Sequence, residues 1–441
     1  MNAVERYAAV SVPRYTSYPT AADFGTTVGP RDHARWLRDL DPQEAVSAYI
    51  HVPYCQRICH YCGCHAKAAR RDDIIEAYRD RLEAEIRLVS GLCAGRIPIG
   101  RLAWGGGTPS ILGSDGLARV VDVLARHFDT SHIQEHAIEL DPRHVSPDLC
   151  RRLADIGVDR ASLGVQDADP VVQRAIGREQ PMDAVEAAVD MLRNAGIARI
   201  NIDLIYGLPE QTEQSIVATC DAVATLRPDR IACYGYAHLP HRRANQRLVD
   251  TQRLPGPVLR LALAAAVCNT LTGHGYGRIG IDHYALADDP LAQATRAGRL
   301  HRNFQGYTDD ERPSLIGFGA SAISQLPGGF VQNEPAIGAY SRMVGEGQLA
   351  TRRGHALSDD DRCRASIIEA LMCNLQIDLG MDAGRFADEI ALLRPYVADG
   401  LVRVAGTRIE MTEVGRPFVR LAAAVFDRYR TESGMRFSGA V

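Results

Sequence analysis

Two hydrophobic rhythms alternate along the chain after about residue 45. Short runs rich in β-branched and apolar residues occur at AVSAYIHV (45–52), GRLAWGG (100–106), HAIELD (136–141), RASLGVQ (160–166), RINIDLIYG (199–207) and DRIACYGYA (229–237). Between them apolar residues recur every three or four positions, as on one face of a helix. The first such stretch runs from Asp73 to Leu92, with Ile75, Tyr78, Leu82, Ile86 and Val89 in phase. A second opens at Ser146-Pro147, an N-cap followed by proline at the first helical position. Others cover 182–195 and 212–226. Six βα units in succession predict a parallel α/β architecture.

Pattern alone leaves a barrel and an open doubly wound sheet both possible. The placement of unusual residues favours the barrel. Cys55 onward, Gly105 to Thr108, Glu139 and Asp141, Gln166, Asp203, and Ala237-His238 all stand at the C-terminal ends of the runs. A barrel gathers those ends at one mouth, whereas an open sheet gathers ligands only at its switch point. The expected fold is a partial (βα)6 TIM-like barrel. Beyond it, the pattern loosens over 280–350. A helix start at LSDDD, a β-like pair (GLVRVAG and RIEMTEVG) and an apolar helix over 416–430 then suggest a small, mainly helical, winged-helix-like domain. Residues 1–40 contain Pro13, Pro19 and Pro30 and read as an extended arm. The divisions expected are 1–40, 41–350 and 351–441.

Composition changes this picture little. The 441 residues are 46 % apolar and 24 % charged with a net charge of −4, which excludes disordered, collagen-like and coiled-coil chains and gives no bulk attraction to nucleic acid or anionic membrane. The most apolar helical stretch, Val258 to Leu271, contains Arg260 and is too short to cross a bilayer. No secretory signal pattern opens the chain, so a cytoplasmic protein is expected.

The cysteines change it a great deal. There are 11, and four of them, Cys55, Cys59, Cys62 and Cys64, fall in HVPYCQRICHYCGCH (51–65). In a loop after a strand, the spacing of the first three lets one segment wrap three corners of an iron–sulfur cube and leave one metal open for chemistry. A structural zinc site is the alternative, although zinc ligands usually come as C-x2-C pairs with four protein donors.

The CxxxCxxC loop after a first strand resembles that of the radical S-adenosylmethionine (SAM) superfamily, and GGGTP (105–109) looks like its glycine-rich SAM motif. Further stretches, PRYTSYPTA (13–21), IELDPR (138–143), SLGVQD (162–167), GREQ (177–180), NIDLIYGLP (201–209), YAHLP (236–240), LHRNFQGYT (300–308) and GFGASAIS (317–324), are similar to the family of oxygen-independent coproporphyrinogen III oxidases over almost the whole chain. The resemblance implies one 4Fe–4S cluster on Cys55, Cys59 and Cys62. It implies SAM cleavage to a 5′-deoxyadenosyl radical, and oxidative decarboxylation of two propionates of coproporphyrinogen III to the vinyls of protoporphyrinogen IX. It also implies two SAM molecules. Tyr49, Gly106, Glu139 and Ile323 match positions around the cluster-bound one, and Tyr61, Gly107, Thr108, Gln166, Arg178, Asp203 and Ala237 match those around the second. The arm carrying Arg14 and Tyr15 would lie over the active site and touch substrate, with Gln305 a further candidate. The partners implied are coproporphyrinogen III and a low-potential electron donor, with no nucleic acid or membrane and a monomeric protein.

Blander readings stand beside these. Arg178, Glu139 and Asp203 could serve structural pairs, Tyr61 could be a packing residue, and residues 1–40 a disordered arm. His51 and His60 read as hydrogen-bonding scaffold. A haem-binding chaperone of the same superfamily is the rival function; Cys64 and PRYTSYPT argue against it. Two departures from the family pattern, Leu421 after Arg420 and Gly439 near the end, fall outside the catalytic part.

Overall fold

The computed structural model describes residues 3–8 and 10–430; Gly439 lies outside the described residues. The six runs form strands β1 (Val46–Val52), β2 (Ile99–Gly106), β3 (Glu135–Leu140), β4 (Arg160–Gln166), β5 (Arg199–Tyr206) and β6 (Arg230–Gly235). They pair in parallel in chain order. Helices α1 (Asp72–Ser90), α2 (Gly113–His127), α3 (Pro147–Asp155), α4 (Met182–Asn194), α5 (Glu213–Thr225) and α6 (Pro257–Gly273) follow the strands in turn. The Ser146 hydroxyl caps α3 by accepting the Leu149 N–H (3.2 Å), as the sequence suggested.

The strands are less uniformly apolar than their composition implied. In β5, Ile200, Ile202 and Leu204 are fully buried toward the helices, while Asn201 and Asp203 line a cavity on the opposite face. The same cavity, about 160 Å³, is lined by Ser47 and Tyr49 of β1, Arg101 and Ala103 of β2, Glu139 of β3 and Ser162 of β4. One small cavity can touch alternate residues of all these strands only if the sheet curls around it, as in a barrel.

The barrel is not closed. The loosely patterned segment adds strands to both sides of it. Strands β7 (Gly277–Ile279) and β8 (His283–Ala285) extend the β6 edge antiparallel, and β9 (His301–Asn303) and β10 (Gly306–Thr308) form a separate hairpin. Strand β11 (Leu315–Phe318) runs parallel to β1, with Gly317 opposite Tyr49. Strands β12 (Ile323–Leu326), β13 (Gly329–Asn333) and β14 (Thr351–Ala356) continue antiparallel. The order β14-β13-β12-β11-β1-β2-β3-β4-β5-β6-β8-β7 leaves two unpaired ends. The sheet thus runs past the boundary at 350 that the sequence suggested.

The first forty residues are not simply extended. Gly29-Pro30 starts a helix over Pro30–Arg38, where Asp32 accepts the Gly29 N–H (3.1 Å) and Trp36 and Leu37 are buried. Ala8, Val12, Tyr15 and Tyr18 are buried in a second core formed by the C-terminal residues. There, helix α7 (Asp359–Asn374) is capped by Ser358 as expected. The anticipated strand pair, β16 (Val402–Ala405) and β17 (Arg408–Met411), has a third member, β15 (Gln376–Asp378). The helix expected over 416–430 is reduced to Val419–Ala423 between two 3-10 turns. From Asp427 the chain turns away as Tyr15 donates to Asp427 (2.9 Å), Arg428 pairs with Asp360 (2.8 Å) and Tyr429 donates to Asp361 (2.7 Å).

The N-terminal end of the barrel is plugged by buried charge. Arg160, 2 % exposed, donates to Glu135 (2.9 Å), Asn201 (2.9 Å) and Asp289 (3.2 Å), and Arg230 donates to Asp289 (2.6 Å). Removing one member strands its neighbours' charge in a dry site. Asp289→Ala should therefore lower stability by about 3–5 kcal/mol, read as a lower midpoint in urea unfolding; a change under about 1 kcal/mol would mean the plug contributes nothing beyond surface pairs.

Candidate active site

At the opposite end, the strand tips surround a cavity of about 720 Å³. Cys55, Cys59, Cys62 and Cys64 all line it, with Gly106, Gly107, Thr108, Glu139, Gln166, Arg178, Asp203 and Ala237. Residues far apart in sequence meet here because each follows or ends a strand.

The cysteine segment is held to the barrel by backbone and side-chain contacts. The Gly107 N–H donates to Val52 O and the Thr108 N–H to Tyr54 O (both 2.8 Å), tying the glycine-rich turn to the segment that leaves β1. A Cβ on Gly107 would lie 2.4 Å from Tyr54 O, and one on Gly106 (φ +112°) 2.6 Å from the His51 ring. Both positions thus require glycine. The Asn245 amide donates to the carbonyls of Cys59 (3.0 Å), His60 (3.1 Å) and Cys62 (2.9 Å). Its neighbour Gln246 donates to Tyr61 O (2.8 Å) and Ala237 O (3.1 Å). These two residues, on a 3-10 turn over Ala244–Leu248, carry no sequence signal, and the pattern analysis did not find them.

The sulfurs have distinct surroundings. Thr108 donates to Cys55 Sγ (3.5 Å), and Arg178 Nη1 to Cys59 Sγ (3.5 Å). Burial pushes the Cys55 thiol up to about 11. The Cys64 thiol hydrogen-bonds Cys62 and pulls it down to about 6, against the opposing effect of burial. Arg178 also pairs with Asp141 (3.3 Å) and donates to Gly164 O (2.6 Å), so the structural pair foreseen for it is present in the cavity wall. Among the described residues, no three His, Cys, Asp or Glu side chains converge on a position a single ion could occupy. Cys55, Cys59 and Cys62 all line the cavity, and three thiolate donors fit three corners of a polynuclear cluster.

Glu139 reaches into the cavity and accepts the Gly106 N–H (3.1 Å). Its confinement among protein groups pushes its carboxyl up to about 7, with the charge of Asp203 adding to the effect. Asp203 is raised by burial and accepts the Ser162 hydroxyl (2.9 Å). A Cβ on Gly105 would lie 2.9 Å from both Glu139 Oε1 and the Tyr49 hydroxyl, which places those two groups side by side. Tyr49 lines the inner barrel cavity and bonds His51 Nδ1 (3.0 Å). Gln166 ends β4 in the left-handed region (φ +72°), a strained conformation at the cavity edge. Tyr61 lines the cavity while packing against an apolar group with Ile176 and Tyr236.

Ile323, Gln305 and Tyr15 are placed apart from this group. Ile323 sits on β12 against Gly317 of β11, two strands from Tyr49. Gln305 lines the inner barrel cavity. Tyr15 is 3 % exposed in the C-terminal core, its hydroxyl taken by Asp427, while Arg14 beside it reaches the cavity. Phe304, unremarked in the sequence, also lines the cavity. His51 is the scaffold it was expected to be, with its Nε2 on His65 O (3.1 Å).

If Asn245 fixes the loop, Asn245→Ala should speed amide hydrogen exchange over residues 59–63 by about tenfold or more, the loss of roughly 1–3 kcal/mol of restraint. Unchanged exchange there would show that the loop is held by other contacts.

Residues 49–223 match the model of the radical SAM superfamily. An oxygen-independent coproporphyrinogen III oxidase of Bradyrhizobium diazoefficiens is 44 % identical over 99 % of this chain and 98 % of that protein. The Escherichia coli protein of the same name is 39 % identical over 95 % of this chain and 93 % of its own length. A solved structure of coproporphyrinogen III oxidase from Escherichia coli, described as a radical SAM enzyme, superposes with a TM-score of 0.90 at 38 % identity, covering 94 % of this chain and 97 % of that one. With identity of this order across almost every residue, and the cysteine loop set at the mouth of the matched fold, the chain belongs to the oxygen-independent coproporphyrinogen III oxidase family of radical SAM enzymes.

Proposed function

We propose that this chain decarboxylates two propionate side chains of coproporphyrinogen III to vinyls without oxygen, giving protoporphyrinogen IX in haem biosynthesis. The observation that carries the reading is one cavity holding the three cysteines, the glycine-rich strand end and the Glu139–Asp203 pair, in a chain that matches enzymes named for this reaction nearly end to end. Family membership brings a 4Fe–4S cluster and SAM. Bound together and supplied with an electron by an external donor, these would provide the radical chemistry that removes a propionate β-hydrogen, with loss of CO2 and passage of the remaining electron to an external acceptor.

The protein's part is binding, positioning and exclusion of water. Cys55, Cys59 and Cys62 would hold the cluster, and the donors at Thr108 and Arg178 reach their sulfurs, contacts of the kind that tune a cluster's potential. Glu139, beside Tyr49 and Gly106, suits the ammonium of one SAM, with Ile323 two strands from Tyr49 in the sheet. Tyr61, Gly107, Thr108, Gln166, Arg178, Asp203 and Ala237 would hold a second SAM in the same cavity, and Arg14 faces the space left for the tetrapyrrole, while Gln305 stands in the inner barrel cavity. Cavity walls that exclude bulk water keep a reactive species from side reactions. A low-potential electron donor, a monomeric state and a cytoplasmic setting complete the reading. None of the 11 cysteines is paired in a disulfide, as in a reducing compartment, and no helix among the described residues is long and apolar enough to cross a membrane.

Anaerobic incubation with coproporphyrinogen III, SAM and a strong reductant should give protoporphyrinogen IX by mass analysis. Cys55→Ser, Cys59→Ser and Cys62→Ser should each lose the cluster absorbance and SAM cleavage together; full activity in any one would remove that residue from the ligand set. Affinity for SAM should fall between about pH 8 and about pH 6 as the Glu139 carboxylate, half-protonated near 7, loses its charge. Glu139→Gln should flatten that profile, and an unchanged profile would separate Glu139 from the ammonium.

A further inference from the structure

We infer that a second cavity, walled by α6, β6 and the C-terminal residues, binds alkyl carboxylates, and that its occupant is a propionate of the tetrapyrrole that the reaction leaves intact. This rests on the function proposed above. The cavity measures about 340 Å³, within the range of small-molecule sites. Its lining carries five guanidinium groups, Arg14, Arg260, Arg278, Arg416 and Arg420, against one carboxylate, Asp282, although Arg278 pairs with Glu413 (3.2 Å) outside the lining. That carboxylate is already engaged: His283 Nδ1 bonds it at 2.7 Å, and His283, Arg302 and Arg14 hold it down near 2 although burial opposes this. Arg416 donates through Nε and Nη2 to the carbonyl of Gly280 (3.1 and 2.9 Å), and Arg14 to that of Gly235 (2.6 Å), so both meet neutral acceptors there. Like charges confined together raise one another's energy, and an anion among them relieves it. Burial, and next the charge of Arg14, push Arg420 down to about 10.

Much of the remaining lining is apolar, including Leu261, Ala264, Val267 and Phe418, with Asn269, Tyr206 and Tyr284 among it. A carboxylate on a short methylene arm matches both halves, its oxygens forked by guanidinium and its stem against the hydrocarbon. The position fits the same ligand. Arg14 and Gly235 line this cavity and the active-site cavity alike. Gly235 is flanked by Arg14 on its carbonyl and by the Arg260 guanidinium, which would stand 3.2 Å from a Cβ there. Arg14 and the end of β6 at Gly235 thus stand between the two spaces, and a propionate reaching past the Arg14 side chain from the macrocycle enters the arginine-lined one. At the far end, Val414 is 60 % exposed, so a separate small carboxylate could also enter from solvent.

The test uses anaerobic, cluster-loaded enzyme and two probes, coproporphyrin III and glutarate. Arg260→Gln and Arg416→Gln should each weaken coproporphyrin III binding by about tenfold or more, with SAM cleavage by a chemical reductant unchanged. Loss of glutarate binding in both variants, with coproporphyrin III affinity kept, would assign the site to a free small carboxylate and overturn the propionate assignment. Wild-type affinity for both probes, within about twofold, would overturn the inference altogether. Because substitutions here could disturb the fold, the wild-type enzyme is also treated with phenylglyoxal. Coproporphyrin III should protect Arg260 and Arg416 from modification, by peptide mass, and absence of protection counts against the site. Failure of the wild-type enzyme to convert coproporphyrinogen III would instead sink the functional reading itself, a result distinct from normal turnover in both variants.

Discussion

Everything at the catalytic mouth depends on a sheet that is polar on one face and apolar on the other. Hydrocarbon on β1 to β6 is buried under helices, which pulls the sheet's outer face inward against them. The opposite face carries serine, tyrosine, asparagine, aspartate, glutamate and arginine, which need partners or water. Curling the sheet around these groups lets them satisfy one another, as Ser162 does with Asp203 and Arg160 with Glu135 and Asp289. The curled geometry brings six strand ends within reach of one ligand-sized space. The charged plug closes one end of that space and the cysteine loop furnishes the other.

The loop itself has almost no regular structure to stiffen it. Its shape comes from outside, through the glycine-rich turn beneath it, Arg178 at one side and the Asn245–Gln246 pair above. Three carbonyls accepting from one amide is an economical way to fix a segment whose thiols must face a common space. It also explains why a 3-10 turn more than 180 residues away in the chain matters to the cysteines.

Much of this was readable in the sequence because it is local or periodic. The six strands and their helices follow from hydrophobic rhythm, and the cysteines and glycines from fixed spacing. Even the curl had a trace: Asn201 and Asp203 alternate with isoleucines in RINIDLIYG, a period-two pattern that composition alone had blurred into a uniformly buried strand. What escaped was non-local. Nothing near Asn245 announces the loop it holds, and nothing near Tyr15 announces Asp427. The strands over 315–356 were hidden because each is only a few residues long and takes its place from neighbours already in the sheet. The helix at Pro30 escaped because prolines were read as signs of an extended arm, when one of them stood at a helix start.

The stapling of the arm to the far end of the polypeptide bears on how the enzyme matures. Tyr15 and Tyr18 are fixed by Asp427 and Arg428, and Arg14 forms part of the wall around the reaction space. During synthesis the barrel emerges before residues 427 and 428, so the arm can dock only after they are made. The side of the reaction space walled by Arg14 and Thr16 is therefore completed after the barrel that carries the cysteines.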